Sequence, residues 1–394
     1  MNKTTEYILL TGGCGFIGSH TAVELLEKGH NVIIVDNLSN SYEWIIDNIK
    51  KITKKDVIFE LIDCCDYDKL ENVFKKYNIS SVIHFAANKC VGESVEYPLK
   101  YYKNNIFSLV NILNLMTKYG IKNIVFSSSC TVYGQPDKLP VTEDTPIQKP
   151  NCPYGNTKQI SEEIIIDTIK SNKNINSIIL RYFNPIGAHP TSLIGELPIG
   201  EPQNLIPYIM QTAIGKRDKL KVFGGDYNTK DGTCIRDYID ITDLAKAHVI
   251  SVERMINNEN EDNFEIFNLG TGEGKSVLEI IEVFEKVSNV KLNYEIVDRR
   301  QGDVEKIYAD PTKANKMLGW KAITNIEDTI RHAWLWEMYL NNMENEKTST
   351  RYKFQCPQCG QNYEVEGMPP IEIFKQIPHT MTCPKCGEKV PMIQ

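Results

Sequence analysis

A glycine-rich loop near the start of the chain constrains the fold more than any other feature. It reads TGGCGFIG over residues 11–18, between a short apolar run at 7–11 and an amphipathic stretch at 18–28. The apolar run predicts a β-strand, and the amphipathic stretch predicts a helix. A glycine loop that joins a strand to a helix is typical of the first turn of a dinucleotide-binding fold.

The glycines and the next acidic residue predict the cofactor. Gly12 and Gly15 would let the backbone turn tightly and approach a pyrophosphate, and Gly18 would let the helix pack closely on the strand. The amino end of the helix favours the phosphate charge. Asp36 closes the next predicted strand, 18 residues after Gly18, where its carboxylate would accept the ribose hydroxyls of adenosine. Because that carboxylate would also repel a 2'-phosphate, the sequence predicts NAD rather than NADP.

Short β-branched runs alternate with stretches of helical length through the first half of the chain, as in βαβ units that build a parallel sheet. Predicted strands lie at 7–11, 31–36, 57–63, 81–86, 123–128 and 177–182. Predicted helices lie at 18–28, 68–77, 98–118 and 154–171. After residue 183, loops rich in Gly, Pro and Asn interrupt shorter elements. We expect an α/β protein: a Rossmann-type doubly wound parallel sheet (1–183) with a smaller, interleaved α/β substrate lobe (184–340).

The composition excludes several classes of function. The chain has 394 residues, of which 41% are hydrophobic and 24% charged, as in an ordinary globular protein. A formal net charge of -7 gives no electrostatic reason to expect nucleic acid or an anionic membrane as the main partner. No uncharged run approaches the roughly 18–20 apolar residues that span a bilayer. Residues 1–10 leave no room for a signal-peptide core, so we expect a cytoplasmic protein.

A tyrosine and a lysine open one of the predicted helices. Tyr154 and Lys158 are four residues apart, so their side chains lie on the same helix face. A phenol with a pKa of about 10 is a poor base at neutral pH. A nearby ammonium and a positive nicotinamide ring would stabilise the phenolate and lower that pKa. Three serines at 127–129 end the preceding strand, so one hydroxyl can join a proton relay for alcohol oxidation by hydride transfer.

Eight motifs together give the chain a family resemblance. They are TGGCGFIGSH (11–20), VDNLSNS (35–41), VIHFAANKCVGESV (82–95), FSSSCTVYG (126–134), PYGNTK (153–158), RYFNPIGAHP (181–190), IRDYIDI (235–241) and RRQGD (299–303). Over about residues 6–339, the chain resembles the extended short-chain dehydrogenase/reductase family, and within it the branch that epimerises UDP-hexoses at C4. The combination is much more specific than any one motif.

The resemblance implies roles for individual residues. Ser129 would complete the catalytic relay, with Tyr154 as the base and Lys158 as its ammonium partner. NAD contacts are implied for Gly12, Gly15, Phe16, Ile17, Gly18, Asp36, Asn37, Asp63, Phe85, Ala86, Lys89, Asn104, Tyr154, Lys158 and Phe183. A nucleotide-sugar site is implied for Ser129, Tyr154, Asn184, Asn204, Lys221, Val222, Phe223, Arg236, Arg300, Asp303 and Ile307. A homodimer is implied as well, through helices 98–118 and 154–171 packed as a four-helix bundle.

The implied reaction interconverts UDP-glucose and UDP-galactose, as in galactose metabolism. NAD would take a hydride from C4, the 4-keto sugar would turn over in the site, and the hydride would return to the opposite face. Family members that dehydrate their substrate need an added carboxylic acid, and residues 129–134 (SCTVYG) contain none, which disfavours elimination. Ile307 is smaller than the tyrosine that plain-hexose enzymes carry there, so UDP-N-acetylglucosamine stays an alternative. UDP-glucuronate or a UDP-pentose, and a non-catalytic NAD-binding scaffold, also stay open.

The carboxyl-terminal residues predict a metal module. After a polar segment at 341–351, interpreted as a linker, residues 352–394 contain two Cys-Pro-x-Cys-Gly motifs, with 23 residues between the second and the third cysteine. Four thiolates at this spacing suit tetrahedral Zn(II), and iron uses the same ligand set. The predicted ligands are Cys356, Cys359, Cys383 and Cys386. The segment resembles a zinc ribbon or a rubredoxin, and a role in protein docking or oligomer stability is the favoured hypothesis.

Overall fold

The computed structural model describes residues 5–300, 303–349, 351–355, 362–366, 380–382 and 389–391, and it describes side chains for residues 5–300 and 303–344. The chain divides into two compact units, Met1–Trp336 and Glu337–Gln394, and each is described by itself. Within the described part of the chain, no helix combines the length and the apolar character needed to cross a bilayer.

Strands and helices alternate through residues 6–84, and short strands follow one another directly at several places after residue 176. The strands are β1 (Glu6–Thr11), β2 (Val32–Asp36), β3 (Ile58–Leu61), β4 (Asn78–His84), β5 (Asn123–Ser129), β6 (Asn176–Tyr182), β7 (Asn184–Ile186), β8 (Leu220–Phe223), β9 (Ile235–Arg236), β10 (Tyr238–Asp240), β11 (Phe264–Leu269), β12 (Lys275–Ser276), β13 (Tyr294–Val297), β14 (Lys306–Ile307), β15 (Arg351–Gln355), β16 (Asn362–Glu366), β17 (Thr380–Thr382) and β18 (Lys389–Pro391). The helices are α1 (Phe16–Glu27), α2 (Trp44–Thr53), α3 (Tyr67–Lys76), α4 (Val91–Glu96), α5 (Pro98–Tyr119), α6 (Pro153–Ser171), α7 (Leu205–Ala213), α8 (Ile241–Ile256), α9 (Val277–Ser288), α10 (Thr312–Met317) and α11 (Ile326–Ser349).

The central element of the first unit is a sheet of seven strands in the order β11-β6-β5-β4-β1-β2-β3. All neighbouring strands are parallel. The chain winds outward in opposite directions from β1 and β4, and in such sheets ligands bind beyond the carboxyl ends of the strands at this point. The Rossmann-type parallel sheet predicted from the sequence is confirmed.

The strands are apolar because helices cover both faces of the sheet. Leu10 and Ile34 pack in one buried cluster with residues of α1 and α8. Their neighbours Leu9 and Ile33 pack in a second cluster with residues of α3, α5 and α6. Successive residues of a strand point to opposite faces, so near-continuous apolar runs are what a sheet between two helical layers requires.

Local patterns predicted the first half of the chain well. The six predicted strands correspond to β1 to β6, and the four predicted helices correspond to α1, α3, α5 and α6, with every end within three residues. The pattern did not predict the seventh strand, β11, which returns to the sheet from beyond residue 183 and pairs with β6. Local sequence does not specify which sheet a distant strand joins, so the division of this unit at residue 183 stays a prediction.

A smaller group of elements packs beside the sheet within the first unit. Ile209 of α7, Val222 of β8, Phe284 of α9 and Ile330 of α11 belong to a third buried cluster. Strand β8 pairs with β13, and short strands β12, β9 and β14 form a further sheet. These elements lie in the segments that follow β6 and β11, so they are placed to face the carboxyl edge of the main sheet.

The second unit holds two short hairpins. Helix α11 extends to Ser349, through most of the segment interpreted as a linker. The segment contains Met, Glu and Lys with no Gly or Pro, a composition that permits helix. Strand β15 pairs with β16 and β17 with β18, both antiparallel, with Gln355 opposite Asn362 and Thr382 opposite Lys389. Cys356, Cys359, Cys383 and Cys386 fall in the two six-residue connections, 356–361 and 383–388, which lie outside the described residues.

Candidate active site

A cavity of about 740 Å³ opens at the carboxyl edge of the main sheet. The predicted cofactor and sugar residues that line it are Gly12, Gly15, Phe16, Ile17, Gly18, Asp36, Asn37, Asp63, Phe85, Ala86, Lys89, Asn104, Ser129, Tyr154, Lys158, Phe183, Asn184, Asn204, Lys221, Val222, Phe223, Arg236, Arg300 and Asp303. Ile307 is not brought to the described cavity wall, because it is 4% exposed and packs in a hydrophobic cluster with Phe183.

The glycine loop is shaped for close approach of a ligand to the backbone. Gly12 has φ +69°, and a Cβ there would lie 2.8 Å from the backbone nitrogen of Ala86. A Cβ on Gly18 would overlap the carbonyl oxygen of Gly12. Helix α1 begins at Phe16 with Gly15 as its N-cap, and no side chain caps its first turn. Exposed backbone donors at a helix amino end bind phosphate, so the residues present fit a dinucleotide.

Asp36 is held in place where the loop after β2 begins. Its carboxylate accepts hydrogen bonds from the backbone of Cys14 at 3.0 Å and of Leu38 at 2.9 Å, and from Ser41 Oγ at 3.0 Å. The side chain is therefore fixed by both the glycine loop and its own loop. A carboxylate accepts about four hydrogen bonds, so these contacts leave capacity for a ribose hydroxyl.

The start of α6 positions the tyrosine and the lysine. Cys152 is the N-cap, with its Sγ accepting from the Gly155 backbone at 3.5 Å, and Pro153 occupies the first turn, where a missing N–H costs nothing. Tyr154 therefore lies in the first turn of the helix, and Lys158 lies one turn later on the same face. Both are buried, with exposures of 9% and 5%.

The end of β5 brings the third member to the same place. The carbonyl oxygen of Ser127 accepts a hydrogen bond from Lys158 Nζ at 2.6 Å. That nitrogen lies 5.9 Å from the centroid of the Tyr154 ring. Ser129 lies near enough to the Tyr154 phenol to lower its pKa, and its Oγ accepts a hydrogen bond from the Thr131 backbone at 3.2 Å. The structure thus places the three predicted relay residues together, at the carboxyl edge of the sheet.

Burial dominates the titration of this group. Burial raises the pKa of the Tyr154 phenol, Tyr182 adds to that rise, and the Ser129 hydroxyl opposes it. Burial lowers the pKa of Lys158 to about 8, against an opposing effect of Glu162. Burial thus raises the pKa of the phenol, whereas the expectation from the sequence was a lowered pKa. The lowering therefore depends on the positive charge of a bound nicotinamide.

Two arginines, Arg236 and Arg300, also line the cavity. Arg300 donates from Nη2 to Asp303 at 2.8 Å, and its guanidinium carbon lies 5.4 Å from the centroid of the Phe223 ring. Arg236 donates from Nη1 to the backbone oxygen of Ile235 at 2.9 Å. Planar guanidinium groups bind phosphate through paired hydrogen bonds, so the part of the cavity wall that these arginines form suits a diphosphate.

Glu196 also lines the cavity, and it was not predicted from the sequence. Its Oε1 accepts from Lys89 Nζ at 3.0 Å and from Asn204 Nδ2 at 2.6 Å. One carboxylate thus bridges a residue predicted to contact the cofactor and a residue predicted to contact the nucleotide sugar. Glu196 lies in a loop rich in Gly and Pro without a motif of its own, and its partner Lys89 is 107 residues away, so local sequence carried no signal for it.

Comparison with known proteins agrees with this geometry. The family described as GDP-mannose 4,6 dehydratase matches residues 9–333. The UDP-glucose 4-epimerase of Dictyostelium discoideum is 49% identical over 337 residues, 86% of this chain and 97% of that protein. The Bacillus subtilis UDP-glucose 4-epimerase is 49% identical, over 84% of this chain and 96% of that protein. The crystal structure of the Bifidobacterium longum UDP-glucose 4-epimerase in complex with NAD+ and UDP superposes with a TM-score of 0.82 at 45% identity, covering 85% of this chain and 99% of that chain.

The sheet order, the glycine loop and the Ser-Tyr-Lys group define an NAD-dependent enzyme of the extended short-chain dehydrogenase/reductase class. Within that class several chemistries share the same first oxidation, so the fold alone does not separate them. The sequence identity to the two relatives, over almost their full lengths, does separate them. The chain belongs to the UDP-glucose 4-epimerase family.

Proposed function

We propose that this chain interconverts UDP-glucose and UDP-galactose by reversible oxidation at C4 of the sugar. The observation that carries the proposal is that Ser129, Tyr154 and Lys158 line the same cavity as Arg236 and Arg300. When bound, NAD supplies a nicotinamide that takes up the C4 hydride and returns it. The protein supplies the proton acceptor, the grip on the nucleotide and the exclusion of water.

Each residue then has a defined part in the reaction. The Tyr154 phenol oxygen takes the C4 hydroxyl proton and gives it back, and Ser129 holds the same oxygen through its hydroxyl. Lys158 contributes an ammonium beside the phenol, which favours the phenolate form. Arg236 and Arg300 hold the diphosphate, so the nucleotide stays bound while the 4-keto sugar turns over. This reaction requires tight binding of the nucleotide and weak binding of the hexose.

Dehydration is the alternative with the same first step. It needs a carboxylic acid beside the Tyr-Gly pair at 133–134, and residues 129–134 contain none. The cavity carboxylate Glu196 is already paired with Lys89. We expect the product of a UDP-hexose to keep the mass of its substrate, which mass spectrometry of the equilibrium mixture measures. Loss of one water would show elimination and would contradict the proposal.

The breadth of substrate choice is a separate proposal. UDP-N-acetylglucosamine remains an alternative substrate because Ile307 is smaller than tyrosine. Since Ile307 packs behind the wall with Phe183 and Cys130, its size would act through the packing of Phe183 rather than through direct contact with the sugar. UDP-glucuronate and UDP-pentoses carry the same UDP group, so incubation of the protein with each of these sugars and chromatography of the products tests all of them.

We also propose a homodimer, supported by an apolar face on α5. Leu99 is 81% exposed and Phe107 is 59% exposed, two helical turns apart on the same face. A second copy that packs α5 and α6 into a four-helix bundle would cover both side chains. Light scattering should give twice the mass of the chain, and Phe107→Glu should shift the protein toward the monomer. A monomeric mass for the unaltered protein would contradict the proposal.

The carboxyl-terminal cysteines are proposed to bind one Zn(II), with iron as the alternative metal. Support comes from the two Cys-Pro-x-Cys-Gly motifs and from the hairpin strands that flank each motif. Such a small module would depend on its metal to fold and would be free to dock a protein partner. Metal analysis of the purified protein should find about one zinc per chain. In the Cys383→Ser variant, which removes one of the four thiolates, zinc content should fall sharply.

Cys65→Ser is the matched control for the metal measurement, because Cys65 is a free, partly exposed thiol of the first unit. Its zinc content should equal that of the unaltered protein. Equal zinc content in both variants, or a loss in both, would contradict the assignment.

The seven described cysteines, none paired in a disulfide, also support the proposed cytoplasmic location, because reduced thiols persist there.

A further inference from the structure

Behind the cavity wall lies a buried ion pair that the proposed reaction does not use. Arg181 of β6 donates from Nη2 to Glu162 Oε2 at 2.5 Å and from Nε to Glu162 Oε1 at 3.0 Å. The two side chains are 2% and 3% exposed. A buried ion pair of this kind is often no more stabilising than apolar residues of the same volume, so stability alone does not account for it.

The serines at the end of β5 connect this ion pair to the catalytic helix. The Ser127 carbonyl accepts from Lys158, and the next residue, Ser128, donates from Oγ to Glu162 Oε1 at 2.5 Å. Glu162 follows Lys158 by one helical turn on α6. Successive turns of α6 therefore dock on successive residues of β5, and the carboxylate fixes the turn that comes directly after the lysine.

Arg181 makes a further hydrogen bond on the side away from Glu162, which fixes the position of the guanidinium that the Glu162 carboxylate binds. Arg181 Nη1 donates to the hydroxyl of Tyr133 at 2.9 Å, and that hydroxyl donates to Asn268 Oδ1 at 2.7 Å. All of these side chains are buried. The network joins α6 to β5, β6 and β11, and a fully satisfied buried network of this kind is rigid.

The charge around Lys158 explains why the carboxylate matters. His84 faces it from β4, and burial lowers the pKa of that imidazole to about 3, so it is neutral. From β6, Tyr182 has a pKa raised by burial, and it is neutral as well. Tyr154 lies on the same helix face. Among the described groups that face Lys158, Glu162 thus supplies the negative charge that favours its ammonium form.

We propose that Glu162 is a positioning residue of the reaction, which docks α6 on β5 and keeps Lys158 charged beside Tyr154 without contacting the cavity. The inference rests on the proposed function, because it requires Lys158 to act as an ammonium. Without the carboxylate, the buried lysine would release its proton at a lower pH. The active form would then be lost at pH values where the unaltered protein still works.

The double variant Glu162→Gln/Arg181→Met tests the charge effect. Glutamine still accepts from Ser128, and methionine removes the cation that would otherwise be left unpaired, so the core stays neutral. We expect bound NAD content and thermal midpoint to stay near those of the unaltered protein. In the pH profile of kcat, the alkaline limb of the variant should lie about one pH unit lower than that of the unaltered protein, with KM unchanged. At pH values above both limbs, this shift is about a tenfold loss of kcat.

Glu162→Asp is the conservative variant, and it keeps the negative charge. It should leave the alkaline limb at its original pH even where kcat falls through poorer docking. An equal shift in both variants, or no shift in the folded double variant, would overturn the inference. An unaltered protein that converts no UDP-sugar would instead overturn the proposed function, so the two failures are distinguishable.

Ser128→Ala decides the docking role even if the double variant does not fold. This change removes one hydroxyl and keeps the ion pair with Arg181. We expect kcat to fall by about fivefold at constant KM, with the alkaline limb unmoved, because α6 loses a hydrogen bond that holds it on β5. An unchanged kcat in Ser128→Ala would overturn the inference.

Discussion

The Tyr154→Phe variant is expected to lose about 10²–10⁴-fold in kcat, because it lacks the oxygen that accepts the C4 proton. The substitution removes one oxygen from a buried side chain and leaves the ring in its cluster with Tyr101 and Cys152. Tyr154 is one of many residues that line the cavity, and the substitution keeps its ring, so NAD content and KM should change little. Steady-state kinetics with UDP-galactose and the absorbance of released NAD measure both quantities.

Tyr102→Phe is the matched control for that experiment. Tyr102 accepts a hydrogen bond from Asn156 of α6 at 2.6 Å, so the change also removes a phenol oxygen at this helix, and Tyr102 does not line the described cavity. Its kcat should stay within about twofold of the unaltered value. A Tyr154→Phe enzyme with the activity of this control would show that another group accepts the proton. If neither variant converted UDP-galactose, the result would favour the hypothesis of a non-catalytic NAD-binding scaffold.

Gly18→Ala is expected to remove bound NAD, with an affinity loss of at least about 100-fold. The added methyl group would overlap the Gly12 carbonyl oxygen and lie 2.7 Å from the Gly13 Cα, so the loop must shift away from α1. A backbone that must approach a pyrophosphate closely does not tolerate such a shift. Activity should be lost together with NAD, and excess NAD should restore it in part. The NAD content of the purified protein, measured by absorbance after denaturation, checks this result.

Gly92→Ala is the control for the glycine variant. A Cβ at Gly92 meets nothing within 4 Å, and this residue lies inside α4, where alanine is favoured over glycine. The control should keep its NAD and its activity. If Gly18→Ala retained NAD as well as Gly92→Ala does, the loop would not be the phosphate site, and the assignment of the cofactor end of the cavity would be wrong.

Much of the fold could be predicted because its signals are local. Each of β1 to β6 is an apolar run bounded by turn residues, and Gly120, which ends α5 with φ +71°, marks a helix end in the sequence itself. Strand β11 carries an equally apolar run, at Phe264–Leu269, but its place beside β6 depends on pairing with residues more than 80 positions earlier. Long-range pairing leaves no local mark, so the seventh strand was missed.

The candidate site shows the same limit. Tyr154, Lys158 and the serines of β5 could be predicted because they stand at fixed spacings beside element ends. Glu196 could not, because it joins the site only through contacts with Lys89 and Asn204 that the folded chain creates. The position of Ile307 followed from resemblance alone, and resemblance did not reveal that its side chain packs into the core.

The most direct measurement of the central claim is conversion of UDP-galactose by the purified protein without added NAD, followed by proton NMR of the anomeric signals. The account predicts that UDP-glucose forms, that the same mixture is reached from UDP-glucose, and that no reduced cofactor accumulates. Protein that carries NAD yet leaves both sugars unchanged would contradict the account.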